Sequence, residues 1–225
     1  ATEARPAPVP DAVAAAQDAK PEYGVPRDPV DRKVADWAWS CLSGDWKAQY
    51  GFSPAASGWG GLKPGASVVF VVTVEKMSHH LRIAVDLVDE RQAALSIELD
   101  DYRTGAKLVP TKPAIPEEAT VTKSGAETLE VDGRKVECTI TRYEWPGTDV
   151  RVFRSGDRIL RVETEQEKSR FVKTEEIEVG KKKLRCEVWE TVRGEVTIRE
   201  WRSTEIPGNL ARLESGARKI SVASY

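Results

Sequence analysis

ETLEVDGRKVECTITRYEWPGTDVRVFRS (127–155) and EEIEVGKKKLRCEVWETVRGEVTIREWRS (175–203) align without a gap at a constant offset of 48 residues. The matched identities are Glu127/Glu175, Glu130/Glu178, Val131/Val179, Lys135/Lys183, Cys138/Cys186, Arg151/Arg199, Arg154/Arg202 and Ser155/Ser203. Leu129/Ile177, Val136/Leu184, Ile140/Val188, Val150/Ile198 and Phe153/Trp201 match in kind. Similarity resumes after about three inserted residues near Glu205–Gly208, with LRVE (160–163) against ARLE (211–214). Self-similarity at a fixed period marks a duplicated supersecondary unit. Each copy reads as strand, tight turn, strand, turn, strand and a further short strand. Asp132-Gly133 between alternating runs is a strong hairpin cue.

Working outward, Ala66 onward has the period of two that places alternate residues on opposite faces of a strand. Runs at about 66–76, 80–89 and 93–102 form a β meander spanning 66–107. Residues 108–124 hold three prolines and read as an excursion between the meander and repeat unit 1 (125–165). Repeat unit 2 (170–216) and a final strand (217–225) complete the expected order. One four-stranded copy is too small to close on itself. Two copies plus the meander predict about ten strands, enough for a strongly curved antiparallel sheet, a half-barrel or an open barrel. Two stacked sheets are the alternative.

Before the strands, Pro29 suits the first position of a helix that Ser43-Gly44 would stop. Val30, Val34, Trp37 and Cys41 recur at helical spacing, so this stripe is expected to pack on the sheet, with Trp37 central to it. Residues 1–27 read as a Pro/Ala-rich arm outside a single β-rich domain of 28–225. Its few large apolar groups cannot offset the entropy of ordering it, at about 1 kcal/mol or more per residue. The arm is therefore expected to be held by a partner protein or assembly.

Lys plus Arg (34) nearly balances Asp plus Glu (36), with the signs interleaved, so no field draws in nucleic acid. No apolar run approaches the roughly 20 residues of a spanning helix. The chain begins at Ala1, which fits a mature chain after removal of an export signal and fits a trimmed chain equally. The Ala/Pro-rich opening resembles a bacterial post-signal tether, and a periplasmic or extracellular location is expected.

No HExxH, GxSxG or P-loop pattern is present, and no cofactor or metal is called for. His79 and His80, the only histidines, fall at an expected turn and read as exposed. Cys41, Cys138 and Cys186 read as buried small hydrophobes. Cys138 and Cys186 are expected at equivalent buried sites without a mutual disulfide. Phe153 and Trp201 occupy matched positions beside Arg154 and Arg202, which suggests an aromatic row on one face and an arginine row on the other. With Trp37, these four are the candidate ligand-binding residues.

The order of helix, meander and the units ending VRVFRS and IREWRSTEIPGNLARLES resembles secreted bacterial proteins related to the outer-membrane lipoprotein carriers. That resemblance implies a curved antiparallel half-barrel with helical cover, whose concave face accepts acyl chains. Two functions are expected: a non-catalytic structural or accessory subunit, or a carrier of a lipid or other apolar ligand.

Overall fold

The computed structural model describes residues 29–42, 52, 62–88, 93–100, 102–108 and 114–225. The arm at 1–27 lies outside the described residues. The described residues are mainly β: among them are one helix, α1 (Pro29–Leu42), and a single open antiparallel sheet. It has thirteen strands rather than ten. They are β1 (Ser67–Val74), β2 (Met77–Val88), β3 (Ala93–Leu99), β4 (Tyr102–Leu108), β5 (Thr120–Val131), β6 (Arg134–Trp145) and β7 (Thr148–Ser155). β8 (Arg158–Glu163), β9 (Glu167–Val179), β10 (Lys182–Arg193), β11 (Val196–Arg202), β12 (Leu210–Ser215) and β13 (Arg218–Ser224) follow. The undercount has two sources. Tyr102–Leu108 forms a fourth meander strand, although Gly105 and the scattered charges weaken its alternation. The sum of the meander and two copies also leaves out the final strand, β13; β5 is the first strand of the first copy, but it begins at Thr120, inside the stretch expected to be an excursion.

The spatial order is β4-β3-β2-β1-β13-β12-β11-β10-β9-β8-β7-β6-β5. The last strand is thus inserted between the meander and the duplicated half. Strands β4 and β5, consecutive in sequence, form the two outer edges. That connectivity forces curvature. Thirteen flat strands would separate the edges by roughly 58 Å at ~4.8 Å per step. The chain from Leu108 to Thr120 spans at most about 43 Å fully extended. The sheet must curl for the linker to reach.

The Asp-Gly cue holds where backbone geometry tests it. Asp132 (φ 51°) and Gly133 (φ 71°) are both left-handed, as a type I′ hairpin requires. The long hairpins then bend over their neighbours. The Asp132 amide donates to the Val172 carbonyl at 3.2 Å, tying the β5–β6 tip to β9. One repeat later, the Lys182 ammonium at the start of β10 lies 4.5 Å from the Tyr225 ring centroid, beyond β13.

Two apolar cores result. In the first, Val68, Phe70 and Val72 of β1 meet Leu81 and Ile83 of β2, Ile220 of β13, and α1. In the second, Val150, Val152 and Phe153 gather Leu160, Phe171, Trp189 and Phe52.

The helix packs on the sheet with a different stripe from the expected one. Val34, Ala35, Ala38 and Leu42 are buried, while Trp37 and Cys41 are only half-buried at its margin. Small side chains at the centre let the helix backbone approach β1. An indole there would hold it away. Trp37 instead lies beneath the Arg218 guanidinium, 5.3 Å from the ring centroid. Trp37→Ala is accordingly expected to cost about 2 kcal/mol in urea denaturation, from ~100 Å² of lost apolar contact. Full burial would put the loss at about 3–5 kcal/mol.

Candidate functional site

The duplication builds one side-chain arrangement twice. Phe153 stands directly across from Arg161, and Trp201 directly across from Arg212. Opposed residues in an antiparallel pair share a face. The Arg161 guanidinium lies 3.7 Å from the Phe153 ring centroid, and that of Arg212 lies 4.6 Å from the Trp201 ring. Arg161 is fixed by Glu127 at 2.8 Å and Glu163 at 3.1 Å. In the second copy Arg212 pairs with Glu214, and the Trp201 indole N–H donates to Glu175. Cys138 faces Glu127 across strands as Cys186 faces Glu175. Both thiols are buried and free, as expected.

Of the candidate residues, Phe153 and Trp201 are buried in separate cores. Arg154, on the other side of its strand from Phe153, donates to the Tyr143 hydroxyl at 3.2 Å. Arg202 pairs with Glu200. Trp37 stays at the margin of α1. The structure therefore does not bring the five together: Trp201 lies in the first core with Trp37 of α1 at its margin, Phe153 lies in the second, and Arg154 and Arg202 bond to Tyr143 and Glu200. Arg161 and Arg212, which do touch the aromatics, were missed. Their signal was the shared arginine in LRVE and ARLE, separated from its partner by the turn.

Charge is largely paired. Glu190 of β10 sits between Arg170 at 2.7 Å and Arg199 at 2.8 Å, its neighbours on β9 and β11. Hydrogen bonds from Arg199 and Arg170 hold its carboxyl below the usual range. Those from Lys173 and Trp201 do the same for Glu175. Burial pushes the Cys186 thiol up to about 11, with Glu175 and Glu205 adding to the shift. Burial likewise raises Cys41 to about 11 and pushes Cys138 up. These thiols stay protonated near neutral pH, which makes them poor nucleophiles. His79 is buried on β2 rather than exposed at a turn, with Nδ1 2.9 Å from Asp100 Oδ2. β2 runs through the expected turn because Met77–His80 keeps its ladder with β1. Among the described residues, no group of three or more His, Cys, Asp or Glu is placed to hold a metal ion. No described helix is long and apolar enough to cross a membrane.

The two copies differ at one turn. Between β7 and β8 the chain needs only Gly156 and Asp157, whereas between β11 and β12 it takes Ser203 to Asn209. This longer loop is pinned. Ile206 is buried, the Ser203 amide donates to the Asn209 carbonyl at 3.0 Å, and the Asn209 amide donates to the Ile206 carbonyl at 2.8 Å. Gly208 (φ 81°) and Asn209 (φ 59°) supply the left-handed backbone that the return requires. The loop rims a cavity of about 460 Å³ that also borders β8, β9 and β10. On its floor Glu187 stands opposite Thr174 on one side and Arg202 on the other. A second opening, of about 730 Å³, lies at the sheet end near Trp145, Asp149, Glu165 and Gln166.

No family model matches the chain, and no curated protein matches its sequence.

Proposed function

We propose that the chain is a non-catalytic accessory subunit of an extracytoplasmic assembly, engaging a partner protein through residues 1–27 and its sheet. One observation carries this reading: around Phe153 and Trp201 the duplicated unit commits its charged side chains and its thiols to its own fold. Guanidinium groups cover aromatics, carboxylates hold the guanidinium groups, and burial keeps the thiols protonated. Duplicating such a unit enlarges the face of the sheet. Edge strand β5 is exposed from Thr120 to Thr128 and pairs only with β6. A bulge between Lys123 and Gly125 interrupts that ladder, a device that discourages indiscriminate edge pairing. Carriage of a lipid or apolar ligand is less favoured, since the openings described above are bordered by charged and polar side chains.

Native mass spectrometry of the chain isolated from its source tests the proposal. A complex with a second polypeptide is expected, and it should dissociate when residues 1–27 are removed. A monomer carrying an acyl lipid would overturn this reading in favour of the carrier.

A further inference from the structure

We infer that the outer edge of β5, at Thr120–Lys123, accepts an extended, uncharged segment of the partner polypeptide as an added antiparallel strand. This rests on the partner engagement proposed above and names the edge and the chemistry that carry it. The main-chain amides and carbonyls of an edge strand are a template for such addition, and the side chains opposite them give selectivity.

The second copy shows the same edge when it is filled. The two long hairpins correspond at the 48-residue offset: Val121 stands opposite Tyr143 as Ser169 stands opposite Thr191. Each first strand carries one extra residue at the same place, Ser124 in β5 and Val172 in β9. Ahead of that bulge, β9 receives β8 on its outer side through Lys168–Glu163, Ser169–Val162 and Arg170–Arg161. The matching stretch of β5 is Thr120–Thr122, and among the described residues no strand lies beside it. The bulge ends the open stretch at Lys123, so an added strand is short, as the β8 pairing is.

Side chains at this place are inverted with respect to exposure. Ser169 and Thr191 are buried and hydrogen-bond to each other. Val121, at the position of Ser169, is apolar and 55% exposed. The covered site holds hydroxyls and the open one holds valine, the reverse of sorting by water. A strand seated as β8 is would set a side chain opposite Val121, where Val162 faces Ser169, and bury both. Tyr143 and Trp145, half-buried, continue the apolar surface on that side of β6. Charge fixes the chemistry of the occupant. In β9, Lys168 and Arg170 each hold a carboxylate, Glu163 and Glu190. Their counterparts are Thr120 and Thr122, and Lys123 is the only charged residue from 120 to 126. The complementary segment is therefore uncharged and rich in β-branched residues. Edge β4 does not offer the same template, being seven residues long and carrying Arg103 and Lys107.

Titration of the full chain with a fluorescein-labelled Thr-Val-Thr-Val-Thr-Val-Thr peptide, followed by fluorescence polarisation, tests the edge. One-to-one saturation below roughly 1 mM is expected, with slowed amide exchange at Thr120–Lys123. Val121→Lys should weaken this binding by about tenfold or more. Val196→Lys makes the same change at the exposed valine that opens β11 and should alter it less than about twofold. Both side chains are exposed, so neither variant should unfold, and circular dichroism checks this. A peptide with proline at its third and fifth positions lacks two main-chain donors and should not bind. Absence of saturation, equal effects of the two variants or equal binding of the proline peptide would overturn the assignment. So would a dimer of the chain that Val121→Lys dissociates, since a second copy would then be the occupant. A native complex with another polypeptide that survives Val121→Lys would overturn this edge and leave partner engagement standing.

Discussion

Phe153→Ala is expected to destabilise the protein by about 3–5 kcal/mol. Phe153 is 0% exposed, filling the space between the short β7–β8 pair and the long hairpin that bends across it. Truncation leaves a cavity and strips the Arg161 guanidinium of its aromatic partner, worth a further ~0.5–1 kcal/mol. Trp201→Ala should cost a similar amount, because Trp201 holds the equivalent place and also donates to Glu175. For a chain of this size each kcal/mol lowers the melting temperature by about 2–4 °C. The two residues lie in different cores, so the double variant should show the sum of the single losses to within about 0.5 kcal/mol in urea denaturation. A loss below about 1 kcal/mol for either single variant would mean that the hairpin does not seal its aromatic.

The second large effect contrasts matched carboxylates. Glu163 is 8% exposed and meets Arg161 at 3.1 Å, Arg151 at 2.9 Å and Lys168 at 2.8 Å. Arg161 is itself largely shielded, with 12% of its side chain exposed. Glu163→Ala therefore leaves a desolvated cation short of a partner, and roughly 3 kcal/mol should be lost. Glu214, the same position in the second copy, has a side chain that is 36% exposed beside Arg212. Glu214→Ala should cost less than about 1 kcal/mol, as surface pairs do. Equal losses in calorimetric melts would show that burial does not control the strength of this pairing.

The alternation in β2, the duplication, the Asp-Gly turn and the paired buried cysteines were legible in the sequence. Each is encoded locally, by a period of two, a fixed offset or a turn residue. The helix was legible in extent but not in orientation. Val34/Ala38/Leu42 and Val34/Trp37/Cys41 are both helical stripes, and hydrophobicity favours the one with the indole. Steric closeness to β1 favours the one with the alanines. Strand order was hidden because β13 pairs with β1 across about two thirds of the chain, Val69 with Ser224, and no local signal specifies that partner. The arginine-bordered cavity was visible only as an insertion of a few residues. Its walls come from β8, β9, β10 and the β11–β12 loop, which only the tertiary fold assembles.

The place of β13 has a consequence in time. During synthesis the meander is made early and the duplicated half later, yet neither can join the other until residues 218–224 emerge and slot between them. Until then β1 presents an unpaired side to the cell, and its sequence SVVFVVTV is uncharged, β-branched and free of proline. Such a segment is prone to pair with other chains while it remains open. Closing the gap also carries the entropic penalty of a very long loop, which slows folding of highly non-local sheets. The strand most able to aggregate is the one that waits longest for its partner.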